Sequence, residues 1–115
     1  CMKKTLSLKG NANEIFIKME NISISMINLL INQKKIKFSK QKSKGSFYLR
    51  RKPNQSNLMN IKKPNYKKIY DFIRMLDADN YPNAYLEFKE FKLLLNKAKK
   101  YKNGIDGRFK IIKKK

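Results

Sequence analysis

Histidine is absent from the 115 residues, and cysteine occurs once, at position 1. Without an imidazole the chain cannot form a Ser-His-Asp or Cys-His nucleophile system. A single thiol can build neither a cysteine-rich zinc site nor a disulfide framework, which suits a reducing compartment. The sequence therefore excludes these hydrolase and zinc-site chemistries and predicts a cytoplasmic protein.

Long apolar runs are also missing. No segment has the roughly 20 apolar residues of a membrane-spanning helix, and the N-terminus lacks the apolar core of a secretion signal. We therefore expect no membrane partner. The length allows one small domain, or one domain plus a piece of another. Because a cysteine stands before Met2, we expect the chain to be a piece of a longer protein.

Acidic residues are scarce, since eight of them face 29 basic residues and the net charge is +21. Such a charge attracts anionic partners over long range. Only four of the basic residues are arginines, although nucleic-acid readers usually favour arginine for its fork of donors. Lysine, asparagine and isoleucine together are what an AT-rich coding sequence produces. Compositional bias with a solvated basic surface and a true anionic partner are therefore both open explanations.

Residues 5–33 predict a short strand followed by a long helix. Alternating leucines at positions 6 and 8 suit a strand, and Asn11 stands three residues before Glu14 in a capping-box pattern. The helix should run to about residue 33. Its apolar stripe is too wide for the few residues upstream to cover, so we expect it to pack on a preceding domain. The stripe comprises Ile15, Met19, Ile22, Met26, Leu29 and Leu30, with Phe16, Ile27 and Ile31 beside it.

The rest of the chain predicts a linker and then a small module of one helix and three strands. In the linker, one short strand is expected around Ile36 and Phe38 and a second over residues 47–49. The second should end at Pro53, because proline cannot donate a hydrogen bond to a neighbouring strand. A second helix should begin near Pro64 and stop near Asp77. Strands are expected over residues 84–88, 91–98 and 108–112, with turn dipeptides at residues 103–104 and 106–107. The fold class is therefore α+β, with two helices and a small antiparallel sheet.

Two clusters of charged residues are candidate sites. Three cations at residues 50–52 stand beside a rigid proline, and they suit either a clamp for phosphate or carboxylate or a solvated basic turn. Arg74 has Asp71 and Asp77 three residues away on either side, on its own face of the predicted helix. Arg74 either neutralises both acids in a structural ion pair, or is held by them to point at a neighbouring domain or ligand.

Three segments of the chain resemble folate-dependent formyltransferases. RRKPNQS over residues 50–56 is similar to the family's RR-x-P-x-x-S segment. IYDFIRMLD over residues 69–77, followed by YPNAY over residues 81–85, is similar to the family's IRAL or IRML segment and its YP-x-A-aromatic turn. LSLKGNANEIFIK over residues 6–18 resembles the end of the family's catalytic domain. The motif positions in this chain are Arg50, Arg51, Pro53, Ser56, Asp71, Arg74, Asp77, Tyr81 and Pro82.

The resemblance implies an upstream Rossmann-like α/β domain, in which an Asn-His-Asp group directs a formyl group from 10-formyltetrahydrofolate to an amine. None of those three residues maps onto this sequence, and the missing histidine removes the general base. The chain is therefore expected to hold no catalytic residue, no metal and no folate, and to be inactive alone. Residues 1–34 would close the catalytic domain, residues 35–63 would form a linker with the RRKP segment, and residues 64–115 would form a C-terminal module. The motif residues are expected to fix linker and module against the catalytic domain.

The acceptor implied by the closest resemblance is an amino sugar on a nucleotide carrier, because the module is shorter than the barrel of the tRNA enzymes. Asn54 and Gln55 stand where the family often has acids, and Met75 stands where alanine is common, which leaves the subfamily open. A methionyl-tRNA formyltransferase part and a free-standing basic RNA-binding module are the alternatives. The expected partners are the upstream domain and a nucleotide amino sugar or tRNA, and a homodimer is left open.

Overall fold

The computed structural model describes residues 2–37, 39–40 and 42–114. These residues form two helices and a three-stranded antiparallel sheet in the order β1-β2-β3, which is the predicted α+β class. The molecule is elongated, with extents of 61 × 29 × 28 Å. The elements are helix α1 (Ala12–Ile31), 3-10 turns at Pro53–Ser56 and Leu58–Asn60, helix α2 (Tyr66–Arg74), and strands β1 (Ala84–Phe88), β2 (Phe91–Tyr101) and β3 (Gly104–Lys113).

Helix α1 begins where the sequence predicts, because Asn11 caps it. The Asn11 side chain accepts a hydrogen bond from the Glu14 amide at 2.9 Å, and the Glu14 carboxylate accepts one from the Asn11 amide at 3.0 Å. This reciprocal capping box satisfies two amide donors near the helix start that would otherwise be unpaired. The helix ends slightly before residue 33, and there the Asn32 side chain donates to the Asn28 carbonyl at 2.8 Å.

The apolar stripe of α1 is mostly open to solvent. Within the helix only Ala12 and Ile15 are buried. Large exposed apolar patches are uncommon on monomeric proteins, so this helix differs from an ordinary surface helix. No helix of the described residues is both long and apolar enough to cross a bilayer. The exposed apolar side chains of α1 are Phe16, Ile17, Met19, Ile24, Ile27, Leu29, Leu30 and Ile31.

The short strands predicted before the module are wrong where the structure describes them. Residues 6–8, Ile36 and residues 47–49 are not in strands. A strand is held by hydrogen bonds to a neighbouring strand, and none of these segments has such a neighbour among the described residues. Phe38, the other position expected in a strand, lies outside the described residues.

Helix α2 is shorter than predicted at both ends. It begins after Asn65, whose side chain accepts from the Lys68 amide at 2.9 Å. At the other end the Leu76 amide donates to the Ile73 carbonyl at 3.1 Å, and the Asp77 amide donates to the Arg74 carbonyl at 3.3 Å. Bonds to the third preceding residue tighten the last turn and end the helix, so Asp77 leaves the helical face on which it was predicted.

The hairpin between β1 and β2 matches the prediction. Phe88 pairs with Phe91, which leaves Lys89 and Glu90 as the turn residues. Lys89 has a left-handed φ of 47°, a conformation that tight hairpin turns often require.

The hairpin between β2 and β3 turns at residues 102–103, and the turn predicted at residues 106–107 is wrong. Tyr101 pairs with Gly104, so both strands are longer than expected. Asp106 and Gly107 lie inside β3, opposite an irregularity in β2 between Asn96 and Lys99. A Cβ at Gly107 would lie 3.1 Å from the Asn96 carbonyl oxygen, so the backbone at this bulge approaches too closely for most side chains.

The hydrophobic core lies between α2 and one face of the sheet. Ile73, Leu76 and Ala84 are buried against one another. Ala84 pairs with Leu95 in the sheet, so both side chains are on the face that α2 covers. The partly buried side chains around this core are Leu58, Ile69, Phe72, Leu95 and Ala98.

Glu87 supplies an ionic contact on β1. Its carboxylate lies 3.0 Å from the Lys114 ammonium and 3.4 Å from the Lys92 ammonium. The hydrogen bond from Lys114, with a smaller contribution from Lys92, lowers the pKa of Glu87 below its ordinary value of 4.5. The ionised carboxylate therefore favours the folded state.

Leu76→Ala should lower the free energy of unfolding by about 2–5 kcal/mol, because the lost methyl groups leave a cavity in the core. Urea denaturation followed by circular dichroism measures this. The neighbouring Met75→Ala is the matched control, since Leu76 is 2% and Met75 42% exposed, and it should cost less than about 1 kcal/mol. Equal losses in both variants would contradict the position of the core.

The stability contributed by Glu87 should be present above pH 4.5 and lost as the pH falls through the lower pKa of the folded state. Glu87→Gln should therefore make the urea midpoint less dependent on pH in this acidic range. Titration of the Glu87 carboxyl carbon by NMR checks the pKa directly. Glu20→Gln, at an exposed position of α1, is the control and should keep the wild-type pH dependence. A carboxyl carbon that titrates at or above 4.5 is the contrary result.

Candidate functional site

The segment that precedes the first 3-10 turn and the loop before β1 enclose a cavity of about 220 Å³. We call it the basic notch. Six of the nine motif positions predicted from the sequence line it, and no carboxylate does. The structure therefore brings together two motif segments that are distant along the chain. The residues that line the basic notch are Arg50, Arg51, Lys52, Pro53, Ser56, Tyr81 and Pro82.

The wall of the notch formed by the 3-10 turn is held by local hydrogen bonds. Pro53 is the first residue of the turn, a position that suits its fixed φ and its missing amide donor. The Lys52 amide donates to the Gln55 side-chain oxygen at 2.7 Å, and the Gln55 amide donates to the Lys52 carbonyl at 3.0 Å. Asn57 then forms an isolated bridge with Tyr85. The segment is thereby fixed beside β1.

The three cations of the notch differ in their contacts. The Arg51 guanidinium donates to the Gln55 carbonyl at 2.5 Å and lies 5.0 Å from the centre of the Phe72 ring, within the range of a cation–π contact. The Arg50 and Lys52 side chains are exposed and have no ion pair or hydrogen bond among the described residues. Arg51 therefore anchors the segment to α2, while the other two cations are free to meet an anion.

Ser56 is the buried polar residue of the notch. It is 2% exposed and lies in the first 3-10 turn. Tyr81, which is partly exposed, lines the same cavity. The notch is thus lined by two residues that carry hydroxyl groups as well as by three cations.

Arg74 joins α2 to the segment that precedes α1. Its Nε donates to the Asp71 carboxylate at 2.7 Å, and its Nη1 donates to the carbonyls of Leu8 at 2.8 Å and Gly10 at 2.7 Å. The guanidinium also lies 5.7 Å from the centre of the Tyr70 ring. The predicted pair with Asp71 is present, and Arg74 acts as a bridge between two parts of the fold.

The prediction that Arg74 also pairs with Asp77 is wrong, because Asp77 lies beyond the end of α2. Its carboxylate accepts from the Lys97 backbone amide at 3.0 Å and from the Asn11 side chain at 3.4 Å. Its backbone carbonyl accepts from the Asn13 amide at 3.3 Å. Asp77 therefore ties the start of α1 and the bulge of β2 to the end of α2.

The carboxylates near these motif residues form hydrogen bonds that stabilise the fold. Asp71 bonds to Arg74, and Asp77 bonds to Lys97 and Asn11. Formylation of an amine needs a proton acceptor, and the chain has no histidine. These groups do not fit a folate-dependent transfer centre, and we assign no step of the transfer to them. In the part of the chain that the structure describes, no group of three or more His, Cys, Asp or Glu residues suits a metal ion.

Sequence reasoning missed several contacts of the motif residues. Phe72 supports Arg51, and the Lys97 amide and Asn11 side chain bind Asp77. No local pattern pairs residues so far apart in the chain. Lys52 is not one of the motif positions, but the run of cations at residues 50–52 includes it among the candidate clamp residues, and it lines the notch.

Comparison with known proteins places these features in a family. The family model described as the C-terminal domain of methionyl-tRNA formyltransferase matches residues 53–112. Among solved structures, methionyl-tRNA formyltransferase from Clostridium thermocellum is similar, with a TM-score of 0.87 and 33% sequence identity over 97% of this chain and 48% of that chain. The chain thus spans about half the length of that solved protein. The search of curated proteins gave no match.

The family match covers seven of the nine motif positions, from Pro53 in the notch through the contacts of Arg74 and Asp77. It includes just over half of the 115 residues. The structural similarity extends to the remainder, including α1. The chain belongs to the formyltransferase family and corresponds to its C-terminal portion, the part described in methionyl-tRNA formyltransferases as the C-terminal domain.

Proposed function

We propose that this chain is the C-terminal part of a methionyl-tRNA formyltransferase, which joins an upstream catalytic domain and helps to hold methionyl-tRNA as the acceptor. The observation that carries the proposal is the match of residues 53–112 to the C-terminal domain of that enzyme. The sequence favoured an amino sugar acceptor because the module is short. The length of the module does not argue against tRNA as the acceptor, because a solved methionyl-tRNA formyltransferase is similar over 97% of this chain.

The folate donor and the transfer chemistry belong, in this proposal, to the upstream domain. The chain supplies no histidine, and Asp71 and Asp77 are held in structural hydrogen bonds. The 115-residue chain is then inactive by itself. Its net charge of +21 would assist the approach of a polyanion such as tRNA.

The apolar face of α1 is the surface on which the upstream domain would pack. That face is exposed along most of the helix, and burying it would be favourable in proportion to its area. Residues 1–34 would then close the catalytic domain, residues 35–63 would form the linker, and residues 64–115 would form the module. The bonds from Arg74 to Leu8 and Gly10 would set how the first and last of these parts are oriented.

The product of the whole reading frame should transfer a formyl group from 10-formyltetrahydrofolate to methionyl-tRNA, and the 115-residue chain should not. Radiolabelled formyl transfer measures both, with nucleotide-linked amino sugars as the competing acceptors. Exclusive transfer to the sugars would remove the tRNA acceptor from the proposal. Formyl transfer by the 115-residue chain alone would contradict the proposal that the upstream domain carries out the reaction.

Ile27→Gln/Ile31→Gln should leave the unfolding midpoint of the 115-residue chain nearly unchanged, because glutamine is a good helix former and these side chains are 53% and 74% exposed. Binding of a dye specific for exposed apolar surface should fall. In the product of the whole reading frame the same change should destabilise the protein by about 1–3 kcal/mol, because an apolar contact is lost. Lys34→Gln/Lys35→Gln, at two exposed positions just after α1, is the control, because it removes no apolar side chain. An unchanged stability of the longer protein would contradict packing through this face.

A further inference from the structure

We propose that the basic notch binds one phosphate group of the acceptor, and that Arg50 and Lys52 are the cations that contact it. The proposal rests on the proposed function only in taking the ligand to be the acceptor. The chemistry that the notch would recognise is a phosphate oxyanion. Two acceptors of this family's kind carry it, as a phosphodiester of RNA or as the diphosphate of a nucleotide sugar.

The charges of the notch favour an anion. Three cations line one cavity, and no carboxylate lines it with them. Elsewhere in the described chain, acids near cations are paired, as Glu87 is with Lys92 and Lys114. Like charges held close together are stabilised when an anion lies between them. The notch therefore has an unbalanced positive charge that an oxyanion would neutralise.

The contacts of Arg51 distinguish the notch from a basic turn that is simply surrounded by solvent. Arg51 is held by the Gln55 carbonyl and the Phe72 ring. This fixes the backbone between the two exposed cations Arg50 and Lys52, which then need little ordering to reach a ligand. Cations that are positioned in advance bind an anion more tightly than freely moving ones, since less entropy is lost.

Ser56 supplies the second, independent observation. It is a nearly fully buried polar residue that lines the notch. A hydroxyl donor beside two cations suits a phosphate oxygen, because hydrogen bonds to ionised groups are about twice as strong as neutral ones. Tyr81, on the opposite segment, is a second residue with a hydroxyl group that lines the same cavity.

The size of the cavity limits what it can hold. Its volume of about 220 Å³ is below the roughly 300–1,000 Å³ of pockets for drug-sized ligands. It therefore suits a single phosphate group. A larger open groove of about 500 Å³ adjoins it, shares Pro53, Tyr81 and Pro82, and continues along the sheet past Tyr85 and the ion pair of Glu87 with Lys92. The rest of a phosphate-bearing ligand can lie in that groove.

The test compares two variants with the same change of charge. Arg50→Gln/Lys52→Gln removes the two free cations of the notch, and Lys99→Gln/Lys100→Gln removes two exposed cations of β2 that line neither the notch nor the groove. Ser56→Ala tests the hydroxyl without a change of charge. The probes are uridine diphosphate and an RNA hairpin with a single-stranded 3′ end. Binding to the 115-residue chain is measured by calorimetry at several salt concentrations, with circular dichroism as the check on folding.

The notch variant should bind at least one probe about tenfold more weakly, and the slope of log K against log salt should fall by about 1–2 for RNA. Ser56→Ala should weaken the same probe about three- to tenfold, and the β2 variant should change binding less than about twofold. Equal losses in the notch and β2 variants, or no loss with either probe, would overturn the proposal. Selective loss with uridine diphosphate alone keeps the phosphate site but removes tRNA from the proposed function. Selective loss of RNA binding supports both the phosphate site and tRNA as the acceptor.

Discussion

The guanidinium of Arg74 sets the geometry on which the rest of this structure depends. It is mostly buried, pairs with Asp71, and donates to the carbonyls of Leu8 and Gly10, just before α1. Helix α1 itself buries few of its own side chains, so apolar packing does little to fix its direction. Charge-assisted hydrogen bonds are shorter and stronger than neutral ones, and here they replace a hydrophobic contact. The orientation of α1 is therefore set largely by polar contacts at its start, from Arg74 and from Asp77, which bonds to Asn11 and Asn13.

In a chain with so few acids, the use of each acid matters. Glu14 caps α1, Asp71 holds Arg74, and Asp77 joins α1 to the bulge of β2. These carboxylates stabilise the fold where helices and strands end, because amide groups and cations there lack other partners. The cations of the basic notch have no such acid, and their charge remains for a ligand. The same scarcity that makes the surface basic thus decides which positive residues are structural and which are available.

The sequence predicts well what depends on neighbouring residues and poorly what depends on register. The Asn11 cap and the hairpin between β1 and β2 follow from local patterns, and both are confirmed. Two turn dipeptides compete after β2, and only the pairing of β2 with β3 decides that the chain turns at residues 102–103, one residue before the first dipeptide ends. Likewise the end of α2 at Arg74 moves Asp77 off the helix. The motif positions of the notch came from a resemblance, but their meeting in one cavity could not be derived from any spacing along the chain.

Helix α2 connects the two sites described above, although it has only nine residues. Phe72 supports Arg51 and hence the wall of the notch, and Arg74, two positions further on, supports the segment before α1. Residues two apart on a helix point in different directions, so one short element can hold both neighbours at once. Because Ile73 between them is buried in the core, α2 cannot rotate without loss of packing. A phosphate bound in the notch and a domain packed on α1 would therefore be held at a fixed orientation to one another.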